Sequence, residues 1–177
     1  MKAVMMSIQP RYCELIASGK KTVEVRETKP QIAPPFKVYI YCTKDNTFAE
    51  KTLRGFDNGK AIYYKANKGK VIGEFVCDKL YDITPHFDTP TFPNQYICGW
   101  DYGKEFDCLS FEELTSYLNG KKGYGWHISN LVIYDYPREL WWFKRWVDRS
   151  KGQRYHEDML CLQSAPQSWC YVEEVQV

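Results

Sequence analysis

Gly19-Lys20-Lys21-Thr22-Val23-Glu24-Val25-Arg26 is the stretch on which the reading of this chain turns. From Thr22 onward polar and apolar residues alternate with period two, so Val23 and Val25 take one face of a strand while Thr22, Glu24 and Arg26 share the other. The pattern predicts a buried apolar face and, opposite it, an ionic one. Lys21 enters from the preceding turn, so two cations and a carboxylate can converge on one polar cleft. Upstream, Pro10 suits the first position of a helix whose face carries Tyr12, Leu15 and Ile16, and Gly19 supplies its left-handed stop. Before that helix, the short apolar run from Lys2 to Ile8 reads as a buried first strand.

Downstream, Pro30, Pro34 and Pro35 mark a loop before a strand at Lys37 to Cys42, in which Val38, Ile40 and Cys42 alternate with Lys37, Tyr39 and Tyr41. The polar, glycine-punctuated stretch that follows reads as an insertion containing a short helix near Thr47 to Arg54. Strand character returns over Lys70 to Tyr81, with Val71, Ile72, Phe75 and Val76 as core candidates. Asp82 to Cys108, carrying Pro85, Pro90, Pro93 and Gly99, is expected to be a long irregular connection. Ser110 stands three residues before Glu113, the capping-box spacing, and Phe111, Leu114, Tyr117 and Leu118 form the stripe of a short helix ending near Gly120. Trp126 to Tyr134 predicts one strand stopped by Pro137, and Ser168 to Val175 a final one. Between them, Leu140-Trp141-Trp142-Phe143 with Trp146 is too aromatic to lie free in water and is expected to pack on the body of the protein. A protein partner bound through Trp141, Trp142 and Trp146 is the alternative.

At 177 residues, with 44% hydrophobic and 26% charged side chains, the chain has globular composition and a length that favours one domain, which excludes collagen-like and wholly disordered classes. No apolar run approaches the roughly 20 residues of a spanning helix. The opening Met1 to Met6 lacks the apolar stretch of a signal peptide, so no membrane contact and a cytoplasmic location are expected. The formal charge of +2 does not by itself demand a polyanionic partner. Its distribution is more informative. Lys60, Lys65, Lys68 and Lys70 surround Tyr63 and Tyr64 with no acid among them, and Arg138, Lys144, Arg145, Arg149, Lys151 and Arg154 outnumber Glu139 and Asp148, while acids dominate 78–113. Basic stretches with interleaved aromatics are the footprint of single-stranded nucleic acid. The seven cysteines form an odd set without a C-x-x-C pair, which reads as reduced thiols rather than disulfides or a zinc ribbon. His86, His127 and His156 lack metal-ligand spacing, so neither a metal nor a cofactor is expected.

Several short strands with few helices indicate an α+β protein with a curved or closed sheet. In its setting after a strand and a Pro-started helix, the run from Gly19 to Arg26 resembles the G-x-K-x-x-E-x-R signature of the ASCH family, which is similar to PUA domains, small β-barrels associated with RNA. Val71-Ile72-Gly73-Glu74-Phe75 resembles the family's second-strand motif, and Trp126-His127-Ile128-Ser129-Asn130-Leu131-Val132-Ile133-Tyr134 its late barrel strand. Pro166-Gln167-Ser168-Trp169-Cys170-Tyr171-Val172-Glu173 resembles the closing strand of longer members from bacteria and their phages. The likeness runs from about 2 to 173, with no match over 43–69 and 82–108. It implies a single ASCH or PUA-like domain over 1–177, with insertions at about 43–69 and 82–108 and an aromatic, basic extension over about 138–177. The implied fold is a mixed or antiparallel β-barrel with two or three short flanking helices.

The resemblance also implies a choice of functions: an RNA- or nucleotide-binding module, an amidohydrolase acting on acetylated cytidine, or a metal-independent ribonuclease. In the amidohydrolase branch Lys21 would activate a threonine three residues later. Here Glu24 occupies that place, which removes the nucleophile. An acid/base pair of Lys21 and Glu24, assisted by Glu105 or Glu113, is the catalytic alternative. Arg26 would push the Lys21 ammonium towards reactivity and Glu24 away from it. His127 reads as a barrel histidine, with a base role as the competing reading. For binding, Lys21 and Arg26 would hold a phosphate or base carbonyl, Glu24 would accept from a base amine, and Tyr63, Tyr64 or Trp126 would stack on the base.

Overall fold

The computed structural model describes residues 1–44, 53–57, 60–64, 68–86, 95–98, 109–152 and 156–175, with the backbone alone for 53–57, 60–64, 85–86, 95–98, 111 and 151. Strand β1 (Lys2–Ile8) leads through helix α1 (Pro10–Ala17) to β2 (Val23–Arg26) and β3 (Phe36–Cys42). A hairpin of β4 (Leu53–Asp57) and β5 (Lys60–Tyr64) follows, then β6 (Val71–Cys77), β7 (Leu80–His86) and β8 (Gln95–Cys98). Helix α2 (Phe111–Leu118), β9 (Gly123–His127), β10 (Ser129–Arg138), two short 3-10 turns (Leu140–Trp142 and Arg149–Lys151), the one-turn α3 (Glu157–Leu160) and β11 (Trp169–Glu173) complete the described elements.

Local chemistry accounts for the first half. Pro10 opens α1, whose Cys13 and Ile16 are buried, and Gly19 leaves it with φ of 71°. At α2 the capping box forms: Ser110 Oγ accepts from the Glu113 backbone N–H at 3.2 Å, and Glu113 Oε2 accepts from the Ser110 N–H at 3.0 Å. Leu114 and Leu118 of that helix cover Val25 and Ile83.

Five strands form a mixed sheet in the order β10-β6-β3-β1-β11, parallel only between β1 and β3, and four form an antiparallel sheet in the order β2-β9-β7-β8. The α+β class and the short flanking helices are as expected, but the described strands make separate sheets rather than a closed barrel. The five-stranded sheet is covered on both faces, which is why β1 reads as an unbroken apolar run. One face meets Cys13, Ile16 and Trp126. On the other, Leu140, Phe143 and Leu162 lie over Met5, Tyr39, Tyr41 and Val172. The C-terminal segment thus buries Tyr39 and Tyr41, which the alternation assigns to an outer face.

Two expected strands are each broken in two. Lys70 to Tyr81 divides into β6 and β7, and Trp126 to Tyr134 into β9 and β10, because in both cases the chain passes from one sheet to the other. The two crossings touch. His127 N donates to Lys79 O at 3.0 Å, Ser129 Oγ donates to Val76 O at 2.8 Å, and His127 Nδ1 lies 2.6 Å from Asp78 Oδ1. The hydrogen bond to His127 holds the Asp78 carboxyl below its usual range. Pro137 does not stop β10 but lies inside it, which an edge strand tolerates. Of the helix expected near Thr47 to Arg54, residues 47–52 lie outside the described residues, and Arg54 belongs to β4. The stretch expected to be irregular from Asp82 carries β7 to His86 and then β8.

Candidate functional site

Strand β2 is an edge of its sheet, and its ladder with β9 sets Glu24 opposite Trp126 and Arg26 opposite Tyr124. Alternation sends Glu24 and Arg26 to one face, towards the ends of β1 and β11. The turn after α1 brings Lys21 to the same place. All three are buried, with exposures of 2% for Lys21, 5% for Glu24 and 7% for Arg26. Glu24 Oε1 lies 2.9 Å from Arg26 Nη2, and Glu24 Oε2 lies 3.5 Å from Lys21 Nζ. The guanidinium also donates from Nη2 to Ser7 O at 2.7 Å, tying β2 to β1. Among the described residues Glu24 Oε2 and Arg26 Nε have no hydrogen-bond partner.

These side chains wall a hollow of about 770 Å³. Tyr12, Tyr117 and Trp169 supply its aromatic lining. Trp169 Nε1 donates to Thr28 Oγ1 at 3.0 Å, which fixes the indole at the mouth, and Lys21 Nζ lies 5.2 Å from the centre of the Tyr12 ring. Burial raises the Tyr117 hydroxyl above its ordinary pKa, with Arg26 beside it acting in the opposite sense. Glu113 also lines the hollow. The Ser110 N–H, helped by Arg11 at 3.0 Å, holds its carboxyl below the usual range.

No protein-family model matches the sequence, and no curated protein matches it. Among solved structures, the fold is similar to the ASCH protein of Zymomonas mobilis, with a TM-score of 0.55 and 20% identity over 97% of this chain and 88% of that one. A variant of the same protein aligns with a TM-score of 0.55 and 20% identity over 98% of this chain and 92% of that one. The chain carries an ASCH fold.

Within this ASCH fold the early ionic trio lies together and Glu113 joins it on the lining, whereas Trp126 and His127 do not. Trp126 is fully buried, edge-on to Phe36 at 5.6 Å and 5.8 Å from Trp169, and is absent from the lining of the hollow. Its ring is closed to a base by its complete burial in the core beside Phe36 and Trp169; the indole at the hollow is that of Trp169. Tyr63 and Tyr64 belong to β5, with side chains outside the described residues, and Glu105 lies outside them too. His127 is engaged by Asp78 at the crossing between sheets and does not line the hollow.

The basic stretch over 138–154 is partly balanced from elsewhere in the ASCH fold. Glu157 lies 2.8 Å from Lys144 and 3.1 Å from Arg149, and Glu173 lies 3.0 Å from Arg149. Lys70 is likewise 3.0 Å from Glu139. Of the aromatic cluster, Leu140 and Phe143 are buried, whereas Trp141 and Trp142 remain 58% and 55% exposed. The Lys2 ammonium lies 3.6 Å from the centre of the Trp146 ring. No described helix is long and apolar enough to cross a membrane.

Proposed function

We propose that this ASCH domain binds RNA or a modified nucleoside, with the base seated in the hollow beside Lys21, Glu24 and Arg26. The observation that carries the reading is that Lys21, Glu24 and Arg26 line the same hollow as the rings of Tyr12, Tyr117 and Trp169. A nucleobase is flat, with a stacking face and an edge of donors and acceptors, and so fits a site that pairs aromatic rings with ionic groups. The volume of the hollow falls in the range of small-molecule sites, and Trp169 and Tyr117 offer rings for stacking.

The direct test is equilibrium binding of the four ribonucleosides, acetylated cytidine and short RNAs to the wild type and to Trp169→Ala. The substituted protein should bind about tenfold or more weakly, the effect of losing one base stack. Equal affinities would take the hollow out of the account. A second reading, hydrolysis, draws support from the Lys21 and Glu24 contact inside the same hollow, an arrangement suited to an acid/base pair. Turnover of acetylated cytidine, or cleavage of labelled RNA in the presence of chelator, would identify that activity, and its loss in Lys21→Met would assign it.

A further inference from the structure

We infer that the mouth of the hollow carries a phosphate site, made by Lys29 and Thr28 beside Tyr124, so that a nucleotide enters by its base and leaves its phosphate outside. The inference rests on the nucleobase reading above and extends it to the rest of the ligand.

Lys21 and Arg26 are answered by Glu24, Glu27 and Glu113 on the same lining, so no surplus of positive charge is available inside. A phosphomonoester carrying about −1.5 to −2 charges is therefore kept out of the interior. Immediately beyond Arg26 the situation reverses. Tyr124, the cross-strand partner of Arg26, is flanked by two ammonium groups, with Lys29 Nζ 4.9 Å and Lys122 Nζ 5.4 Å from its ring centre. Lys122 is occupied by Asp82 at 3.1 Å. Lys29 is exposed and makes no ion pair with a described carboxylate.

Thr28 links this cation to the hollow. Its Oγ1 accepts the Trp169 indole N–H at 3.0 Å, so the hydroxyl proton points elsewhere and can be donated. Three residues on, Gln31 N donates to the Tyr171 hydroxyl at 2.7 Å. Lys29 thus stands on a segment tied to β11 on either side of it, and little backbone freedom is lost when an anion binds there. An ammonium and a hydroxyl on consecutive residues provide two donors for phosphate oxygens, and Tyr124 offers a ring to the sugar or to a neighbouring base.

The test compares each ribonucleoside with its 5′- and 3′-monophosphates by calorimetric titration against the wild type, Lys29→Gln and Arg26→Gln. A charge-assisted contact of this kind should make a monophosphate bind about tenfold tighter than its nucleoside to the wild type. Lys29→Gln should erase that advantage and leave nucleoside affinity unchanged, while Arg26→Gln should weaken both ligands together. No advantage in the wild type, or an advantage that survives Lys29→Gln, overturns the phosphate site and leaves the base reading standing. Failure of every nucleoside and monophosphate to bind overturns both.

Discussion

Glu24 receives the Arg26 guanidinium at 2.9 Å with both side chains buried, and its other oxygen faces Lys21. Removing the carboxylate takes the nearest counter-charge away from two buried cations. Glu24→Ala should therefore destabilise the fold by about 3–5 kcal/mol in urea unfolding. Combining it with Arg26→Met should cost less than the sum of the single changes. Strict additivity would mean that the two groups do not act as a pair.

Cys77 is fully buried and donates its thiol to Lys79 O at 3.3 Å, and burial pushes its pKa up to about 12. The unfolded thiol ionises near 8.5, so the folded form keeps a proton that the unfolded form loses. Its contribution to stability is intact below about pH 8.5 and falls as pH rises towards the folded value, by at most about 1.4 kcal/mol per pH unit. Melting temperatures from pH 7 to 10 should fall more steeply for the wild type than for Cys77→Ala. Parallel curves would show that this thiol does not drive the alkaline loss.

The aromatic cluster divides into members that hold the fold and members that do not. Phe143 is fully buried against Tyr39, with ring centres 4.8 Å apart, so Phe143→Ala should cost about 3–5 kcal/mol. Trp142 is mostly exposed, and Trp142→Ser should cost less than about 1 kcal/mol. Urea midpoints of the two variants decide the point, and a reversed order would contradict the packing described.

Gly73 lies in β6 where β10 shifts register, and a Cβ there would meet Val132 O at 2.4 Å and Ile133 Cα at 3.1 Å. Backbone cannot yield as a side chain can. Gly73→Ala should cost about 1–3 kcal/mol and raise hydrogen exchange selectively along β10. Unchanged exchange in that strand would show that the ladder absorbs the methyl group.

What the sequence made legible was local. Pro10, Gly19 and the Ser110–Glu113 spacing are signals carried within one turn of chain, and each marks an element boundary in the structure. The period of two in β2 likewise placed Glu24 and Arg26 on one face. The breaks after Cys77 and His127 escaped the pattern, because residues on both sides have strand character and only the choice of neighbouring sheet separates them. Tyr39 and Tyr41 looked outward for a similar reason: their cover comes from residues about 100 positions away in sequence. The exchange of Trp126 for Trp169 is a matter of depth. Both rings stand near the ionic trio, and alternation assigns a face but not a distance from solvent. A signal for Trp169 existed in its place on the closing strand, which pairs with β1 and so meets the hollow where Ser7 does.

The contact between the two crossings, fastened by His127 and Asp78, joins the sheets like the spine of a book. Covalent chain runs through that spine twice. At the fore-edge, around the hollow, the chain crosses again through α1 and through residues 27–35, and hydrogen bonds from Arg26 to Ser7, Trp169 to Thr28 and Gln31 to Tyr171 reach across as well. The two covers are therefore bound along both margins, and the width of the gap between them is set by the fold.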